Sequence, residues 1–204
     1  MPCSFGRERA LRKQGILLVA GLDEAGRGPL AGPVVAAAVV FLKYRAPRGL
    51  NDSKTLSAEK RDTFYQYLTS ESHVRWAVSI QEVEVIDRLN ILRASQQAMR
   101  ESLAALLDCA QHALVDGLAV PDLPTPHTPL VKGDSLSLSI AAASVIAKVT
   151  RDRLMHQLHE TYPHYGFDRH KGYGTPEHLS KLREHGPCPI HRRSFAPVAQ
   201  LTLF

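Results

Sequence analysis

Four acids carry the chemistry open to this sequence. Asp23 and Glu24 follow the apolar run Ile16 to Leu22, Asp116 follows Ala113-Leu114-Val115, and Asp134 ends the run Leu130-Val131-Lys132-Gly133. Carboxylates at the ends of buried strands are costly to desolvate unless a cation meets them, and in open α/β sheets the strand ends are where sites assemble. Brought to one point, the four would repel one another and take up protons, whereas divalent cations bound through oxygen neutralise them. Two such cations can activate a water and stabilise the leaving oxygen of a phosphodiester, so no Ser, Cys or His nucleophile is required. None stands in such an arrangement here. Directly after the first acid pair, Gly26 and Gly28 let backbone N–H groups approach a ligand closely, and Arg27 adds a charge suited to phosphate. No Gly-rich loop ends in Gly-Lys-Ser/Thr, which leaves out a nucleotide-binding loop of the Walker type.

The elements that must position these residues can be read in order. Ile16 to Leu22 reads as a strand buried on both faces, and Val34 to Leu42 as a second strand paired with it through the glycine-rich turn. A polar loop, Leu50 to Ser57, contains Lys54, which can either reach a phosphate or remain solvated. Its Ser57 is suited to cap a helix over Ala58 to Leu68. Val74 to Ile80 alternates as a third strand, with Trp76 packing in the core. Glu82 to Asp108 reads as helical, with Leu92, Ser95, Met99, Leu103 and Leu106 on one apolar face. Short strands ending at Asp116 and Asp134 flank a proline-rich loop, Pro121 to Pro129. A long helix is predicted from about Ser137 to His159, its stretch Ile140-Ala141-Ala142-Ala143-Ser144 allowing close packing on the sheet. Strands alternating with helices indicate one layered α/β domain.

Composition agrees with that class. The chain has 204 residues, 44% hydrophobic and 22% charged, which suits a single soluble globular domain. A formal net charge of +5 favours polyanionic partners, though a solvated basic surface has the same balance. Three cysteines without paired spacing argue against a disulfide framework. Arg7 to Lys13 followed by Ile16 to Leu22 imitates a signal peptide, but the apolar run is short and charged residues close it. The expected location is the cytoplasm.

The acids also come in a recognisable setting. Asp23-Glu24-Ala25-Gly26-Arg27-Gly28-Pro29-Leu30-Ala31-Gly32-Pro33-Val34 resembles the signature of bacterial ribonuclease HII, the type 2 ribonuclease H family. Lys132-Gly133-Asp134 with Ser139 to Asp152 is similar to its second block, and His170-Lys171-Gly172-Tyr173-Gly174-Thr175 to its third. The resemblance implies a ribonuclease H-like fold, a mixed central sheet flanked by helices with a C-terminal helical segment. It further implies Asp23, Glu24, Asp116 and Asp134 as catalytic ligands of Mg²⁺ or Mn²⁺. The implied reaction is endonucleolytic hydrolysis of RNA in RNA–DNA hybrids, and incision at single ribonucleotides in duplex DNA, leaving a 5′-phosphate and a 3′-hydroxyl. By the same resemblance Gly26, Arg27, Gly28 and Tyr173 would detect the ribose 2′-hydroxyl, which alone distinguishes RNA from DNA at a site. Thr55 stands where the family's Asp-Ser-Lys-Lys-Leu-like loop has a second lysine.

Three weaker signals lie near the C-terminus. His185, Cys188 and His191 offer soft metal ligands but are one short of a structural zinc site. His191-Arg192-Arg193 is expected to face the nucleic acid backbone, with Arg192 as a substrate contact. Gln200, Leu201, Leu203 and Phe204 resemble a bacterial sliding-clamp-binding peptide. The expected organisation is a basic segment over 1–14, a catalytic domain over 15–197 and a tail over 198–204, in a monomer. A non-catalytic hybrid-binding module gains nothing from acids that repel phosphates; a metal-dependent hydrolase of free nucleotides is the other alternative.

Overall fold

A computed structural model describes residues 3–202. Helix α1 (Gly6–Arg12) precedes strands β1 (Val19–Ala25) and β2 (Val34–Phe41). Then come α2 (Ala58–Ser70), β3 (Val74–Gln81), α3 (Val83–Leu89), α4 (Ile91–Ala104), β4 (His112–Asp116) and β5 (His127–Leu130). The long α5 (Leu138–Thr161) leads to α6 (Phe167–His170), α7 (Pro176–His185) and α8 (Ala196–Ala199). The sheet order is β3-β2-β1-β4-β5, antiparallel across β3, β2 and β1 and parallel across β1, β4 and β5. The mixed sheet is therefore as expected.

Every residue of β2 is buried, because both faces of the sheet are covered. Val35, Ala37, Val39 and Phe41 pack with Ala141, Ala142, Val145 and Ile146 of α5. Ala36, Ala38 and Val40 alternate to the other face and meet Ala98, Met99 and Leu103 of α4. Small residues at the contact bring α5 very close to β1. A Cβ at Gly21 would overlap the backbone of Ser139 and Ile140, so the first turn of α5 can sit on β1 only because position 21 has no side chain. Ser137 caps that turn, its Oγ accepting from the N–H of Ile140 at 3.3 Å.

Several boundaries differ from expectation. Asp23 and Glu24 lie inside β1, paired with Ala37 and Ala36, rather than beyond its end. The helical stretch after Glu82 is broken at Asn90, which takes φ 72° and caps α4 by accepting from Arg93 N–H at 3.1 Å. Leu92 is exposed in an open cleft that it lines with Ser95, Met99, Glu24 and Asp116, while Ser95, Met99 and Leu103 are buried as read. Part of the proline-rich loop is the edge strand β5, where Pro129 needs no donor on its open side. Asp134 is not at a strand end but in a 3-10 turn, Gly133–Ser135, between β5 and α5.

The terminal segments do not stand apart from the domain. Phe5 is buried in the α5 core cluster, and the Oε1 of fully buried Glu8 accepts from Ser137 Oγ at 2.6 Å and Ser139 N at 3.1 Å. At the other end, Val198 is buried with Leu30 and Leu182, and Leu201 packs on that group. The two apolar residues that complete the expected clamp peptide, Leu203 and Phe204, lie outside the described residues. Among the described residues no helix is long and apolar enough to cross a membrane.

Candidate active site

The parallel neighbours β1 and β4 deliver Asp23 and Asp116 side by side, and the turn before α5 brings Asp134 to them. One carboxylate oxygen from each lies within 4.8 Å of the other two. Each acid is held by its own local geometry. Asp23 Oδ1 accepts the N–H of Glu24 at 2.7 Å, and Asp116 Oδ1 accepts the N–H of Gly133 at 2.7 Å, which ties β4 to the turn carrying Asp134. Glu24 is next to this trio but not part of it; its Oε1 faces Arg27 Nη1 at 3.4 Å.

Electrostatics shows what this trio costs. Burial, then the charges of Glu24 and Asp116, pushes the Asp23 carboxyl well above the ordinary range. Burial followed by Asp116 and Asp52 raises Asp134 from 3.8 to about 6, and burial raises Glu24 despite Arg27. Lys54 brings an ammonium to the trio, its Nζ standing 4.0 Å from Asp134 Oδ2. Burial lowers its pKa, but Asp23, Asp52, Asp134 and Asp116 together raise it above normal. Exposed Lys54 and Arg27 do not balance four acids. A hard oxygen donor set with raised proton affinities is what a divalent cation would occupy, so Asp23, Asp116 and Asp134, with Glu24 at hand, fit the implied metal.

A cleft of about 290 Å³ opens beside the acids, lined by Glu24, Gly26, Arg27, Gly28, Lys54 and Tyr173 among others. The residues singled out in the sequence thus meet in one place, apart from Arg192. Tyr173 is 45% exposed and lies over Gly28, where an added Cβ would stand 3.6 Å from Cε1 of its ring. Four further residues of this wall were not foreseen: Ser53, Ser144, Lys148 and Arg151. Ser144 and Ser53 share a hydrogen bond of 2.7 Å that pins the Lys54 loop to α5, and Thr55 Oγ1 closes that loop on Asp52 O at 2.7 Å. Ser144, Lys148 and Arg151 lie in the block Ser139 to Asp152 and Ser53 in the polar loop beside Lys54, which were their only signals in the sequence.

Arg192 corrects an expectation. It is fully buried and cannot touch nucleic acid. Its guanidinium donates to the carbonyls of Gly26, Arg27, Pro29, Gly32 and Pro33 at 2.6 to 3.2 Å. Arg151 does the same from α5, donating to Ala31, Pro33 and Lys171. The signature turn has carbonyls pointing inward with no strand to pair them, and two arginine forks satisfy them. Gly26, at φ 101°, has no room for a side chain because Arg151 and the Pro33 carbonyl fill that space. His191 is buried too, leaving only Arg193 of the three exposed. Nor do His185, Cys188 and His191 converge: Cys188 Sγ and His191 Nδ1 hydrogen-bond at 3.1 Å, while His185 lies against Tyr165 and Glu184.

The chain is similar to known proteins over nearly its whole length. The family model described as Ribonuclease HII matches residues 20–198. Ribonuclease HII of Dechloromonas aromatica is 56% identical over 187 residues, covering 91% of this chain and 95% of the relative. Among solved structures, ribonuclease H2 from Pyrococcus horikoshii superposes with a TM-score of 0.74 at 27% identity, covering 90% of this chain and 96% of that one. RNase HII from a PCNA:RNase HII complex of Archaeoglobus fulgidus gives 0.69 at 27% identity, covering 86% and 94%. An acid trio drawn from two neighbouring strands and the turn before α5, the arginine-clamped glycine turn and a match over nearly the whole domain have one common explanation: this chain belongs to the ribonuclease HII family.

Proposed function

We propose that this ribonuclease HII family member, an endoribonuclease acting on the RNA of RNA–DNA hybrids, also incises at single ribonucleotides embedded in duplex DNA. The observation that carries the reading is the juxtaposition of the Asp23, Asp116 and Asp134 oxygens with a cleft whose far wall is Tyr173 over Gly28. Asp23, Asp116, Asp134 and Glu24 would hold Mg²⁺ or Mn²⁺, which when bound supplies an activated water and stabilisation of the leaving oxygen. The remaining work falls to the chain itself. Arg27 and Lys54, both exposed at the cleft, attract and orient phosphate. The exposed Gly28 backbone with the Tyr173 ring forms a sugar-sized contact in which a 2′-hydroxyl can find a hydrogen-bond partner and a deoxyribose cannot. The hydrogen bonds on Asp23 and Asp116 restrain those carboxylates next to Asp134 rather than leaving them free to rotate.

Incubation with Mg²⁺ or Mn²⁺ and a labelled duplex containing one ribonucleotide tests this directly. One cut, leaving a 5′-phosphate and a 3′-hydroxyl, is expected; release of phosphate from free nucleotides without duplex cleavage would overturn the reading. In the same assay Tyr173→Ala is expected to slow incision at the single ribonucleotide by at least about tenfold, roughly 1.4 kcal/mol of transition-state stabilisation. An unchanged rate would remove Tyr173 from the ribose contact.

A clamp partner is the second proposal. The relative from Archaeoglobus fulgidus is in a complex with PCNA, and the end of this chain, Gln200, Leu201, Leu203 and Phe204, has the composition of a pocket-filling peptide. Leu201 already covers Leu182 and Val198, so docking must lift it from the enzyme's own surface, which favours a weak and reversible contact. Purified bacterial clamp is expected to bind the full chain and not a chain ending at Ala199, with nuclease activity equal in both. Equal binding by the two would sink the proposal.

A further inference from the structure

Beneath Tyr173 lies a buried column of side chains that the reaction itself does not use. His178 Nδ1 is 2.9 Å from the carbonyl of Tyr173, His178 Nε2 is 3.0 Å from His191 Nε2, and His191 Nδ1 is 3.0 Å from Cys188 N and 3.1 Å from Cys188 Sγ. The protons in this column can be placed by elimination. A carbonyl only accepts, so His178 carries its proton on Nδ1 and its Nε2 is an acceptor. His191 must then donate from Nε2, leaving its Nδ1 to accept. The backbone N–H of Cys188, which can only donate, meets that nitrogen independently. Every donor thus points toward Tyr173. Both imidazoles are buried and neutral, burial pulling each down to about 4, and a charged form would set two N–H groups against each other.

The Tyr173 ring has no comparable anchor of its own. Among the described residues no hydrogen bond holds its hydroxyl, and the backbone before it, Lys171 at φ 52° and Gly172 at φ 83°, is in the left-handed region. Its direction is set by its backbone: Tyr173 N donates to His170 O, and Tyr173 O accepts from Thr175 N at 2.8 Å and from His178. The segment carrying Cys188 and His191 is simultaneously the strip against which the signature turn lies. Gly32 N donates to Ile190 O, Arg192 N donates to Leu30 O, and Ala31 pairs with His191. One buried block therefore holds both halves of the sugar contact, the glycine turn and the tyrosine.

We infer that His178, oriented by His191 and Cys188, is a positioning residue that sets Tyr173 against Gly28 and so tunes recognition of the ribose; this rests on the reading of Tyr173 given above. The test is a double-mutant cycle on a duplex with one ribonucleotide, at saturating Mn²⁺, with thermal unfolding and Mn²⁺ affinity measured alongside. His178→Ala is expected to lower kcat/KM by about tenfold with Mn²⁺ affinity unchanged, and to cost nothing further in a Tyr173→Ala background. His178→Asn, which keeps an N–H near the place of Nδ1, is expected to recover most of the loss. If His178→Ala does not fold, His191→Leu against His191→Gln asks the same question one step out, the glutamine replacing the Nε2 donor. Additive losses in the double variant, or no rescue by the amide, would overturn the inference while leaving Tyr173 in place. A Tyr173→Ala enzyme with normal activity would instead bring down the ribose reading and this inference with it.

Discussion

Asp134→Asn is expected to reduce cleavage by more than about a hundredfold, beyond what loss of an outer partner of a metal ligand costs, while raising the unfolding temperature of the metal-free protein at pH 8. Both effects come from the same charge. Asp134 is buried close to Asp23 and Asp116, and desolvation followed by its acidic neighbours raises its carboxyl to about 6 from 3.8. Because the folded pKa is the higher one, the folded state binds this proton more tightly than the unfolded chain. Stability from this group is present below about pH 4 and is lost as pH rises through about 6. Asparagine carries no charge to desolvate, so its advantage should be absent near pH 3.5 and full above about pH 6, the window set by those two values. The Lys54 contact it gives up is long, at 4.0 Å, with an ammonium that is itself exposed to solvent, and offsets little. Thermal unfolding in chelator across pH, with Mn²⁺ titration of both proteins, measures it. A variant that is less stable than the parent at pH 8, or one that still turns over normally at saturating metal, would show that the trio is not a strained metal site.

Arg192→Met and Arg192→Lys are both expected to destabilise the protein by at least about 3 kcal/mol, a large part of the roughly 5–15 kcal/mol that holds a domain folded. The guanidinium is completely buried, and its Nε, Nη1 and Nη2 serve five carbonyls of the signature turn. Each buried carbonyl left without a donor costs about 1–3 kcal/mol. Methionine is similar in bulk and leaves four of them orphaned, the Pro33 carbonyl keeping its bond from Arg151 Nε. Lysine keeps a charge but not the fork, and one ammonium cannot span carbonyls from Gly26 to Pro33. Burial, then Arg151, pulls the Arg192 pKa down to about 9, which still leaves it charged at neutral pH. Urea unfolding of the two variants beside Arg193→Ala, whose side chain is exposed, separates loss of the fork from loss of a surface charge. Stability of the lysine variant within about 1 kcal/mol of the parent would mean that the turn needs only a positive charge.

The acids were legible because each interrupts or ends an apolar run, where a carboxylate has no cheap reason to be. The two-sided burial of β2 was legible for a related reason, since only a covered sheet tolerates eight consecutive apolar residues. Helix α5 announced itself through its length and its small residues. Each of these signals is local: neighbours a few positions apart report the same environment.

The remainder depended on contacts between distant parts of the chain. Arg192 sits in a polar stretch that looks the same whether it faces solvent or the carbonyls of a turn some 160 positions earlier. Leu92 fits the apolar period of α4 and is exposed because that end of the face opens onto a cleft beside Glu24 and Asp116. Phe5 and Glu8 look like part of a solvated basic segment, yet they pack on α5 and its first turn. By itself the sequence determined the class of chemistry, because burial of charge is costly wherever it occurs and the pattern of acids among apolar runs records that cost. Tertiary contacts alone separate the buried arginine that supports the turn from the exposed one at the cleft, and show which carboxylates lie together. Those distinctions lie in unpaired backbone groups and interatomic distances, which no short-range pattern encodes.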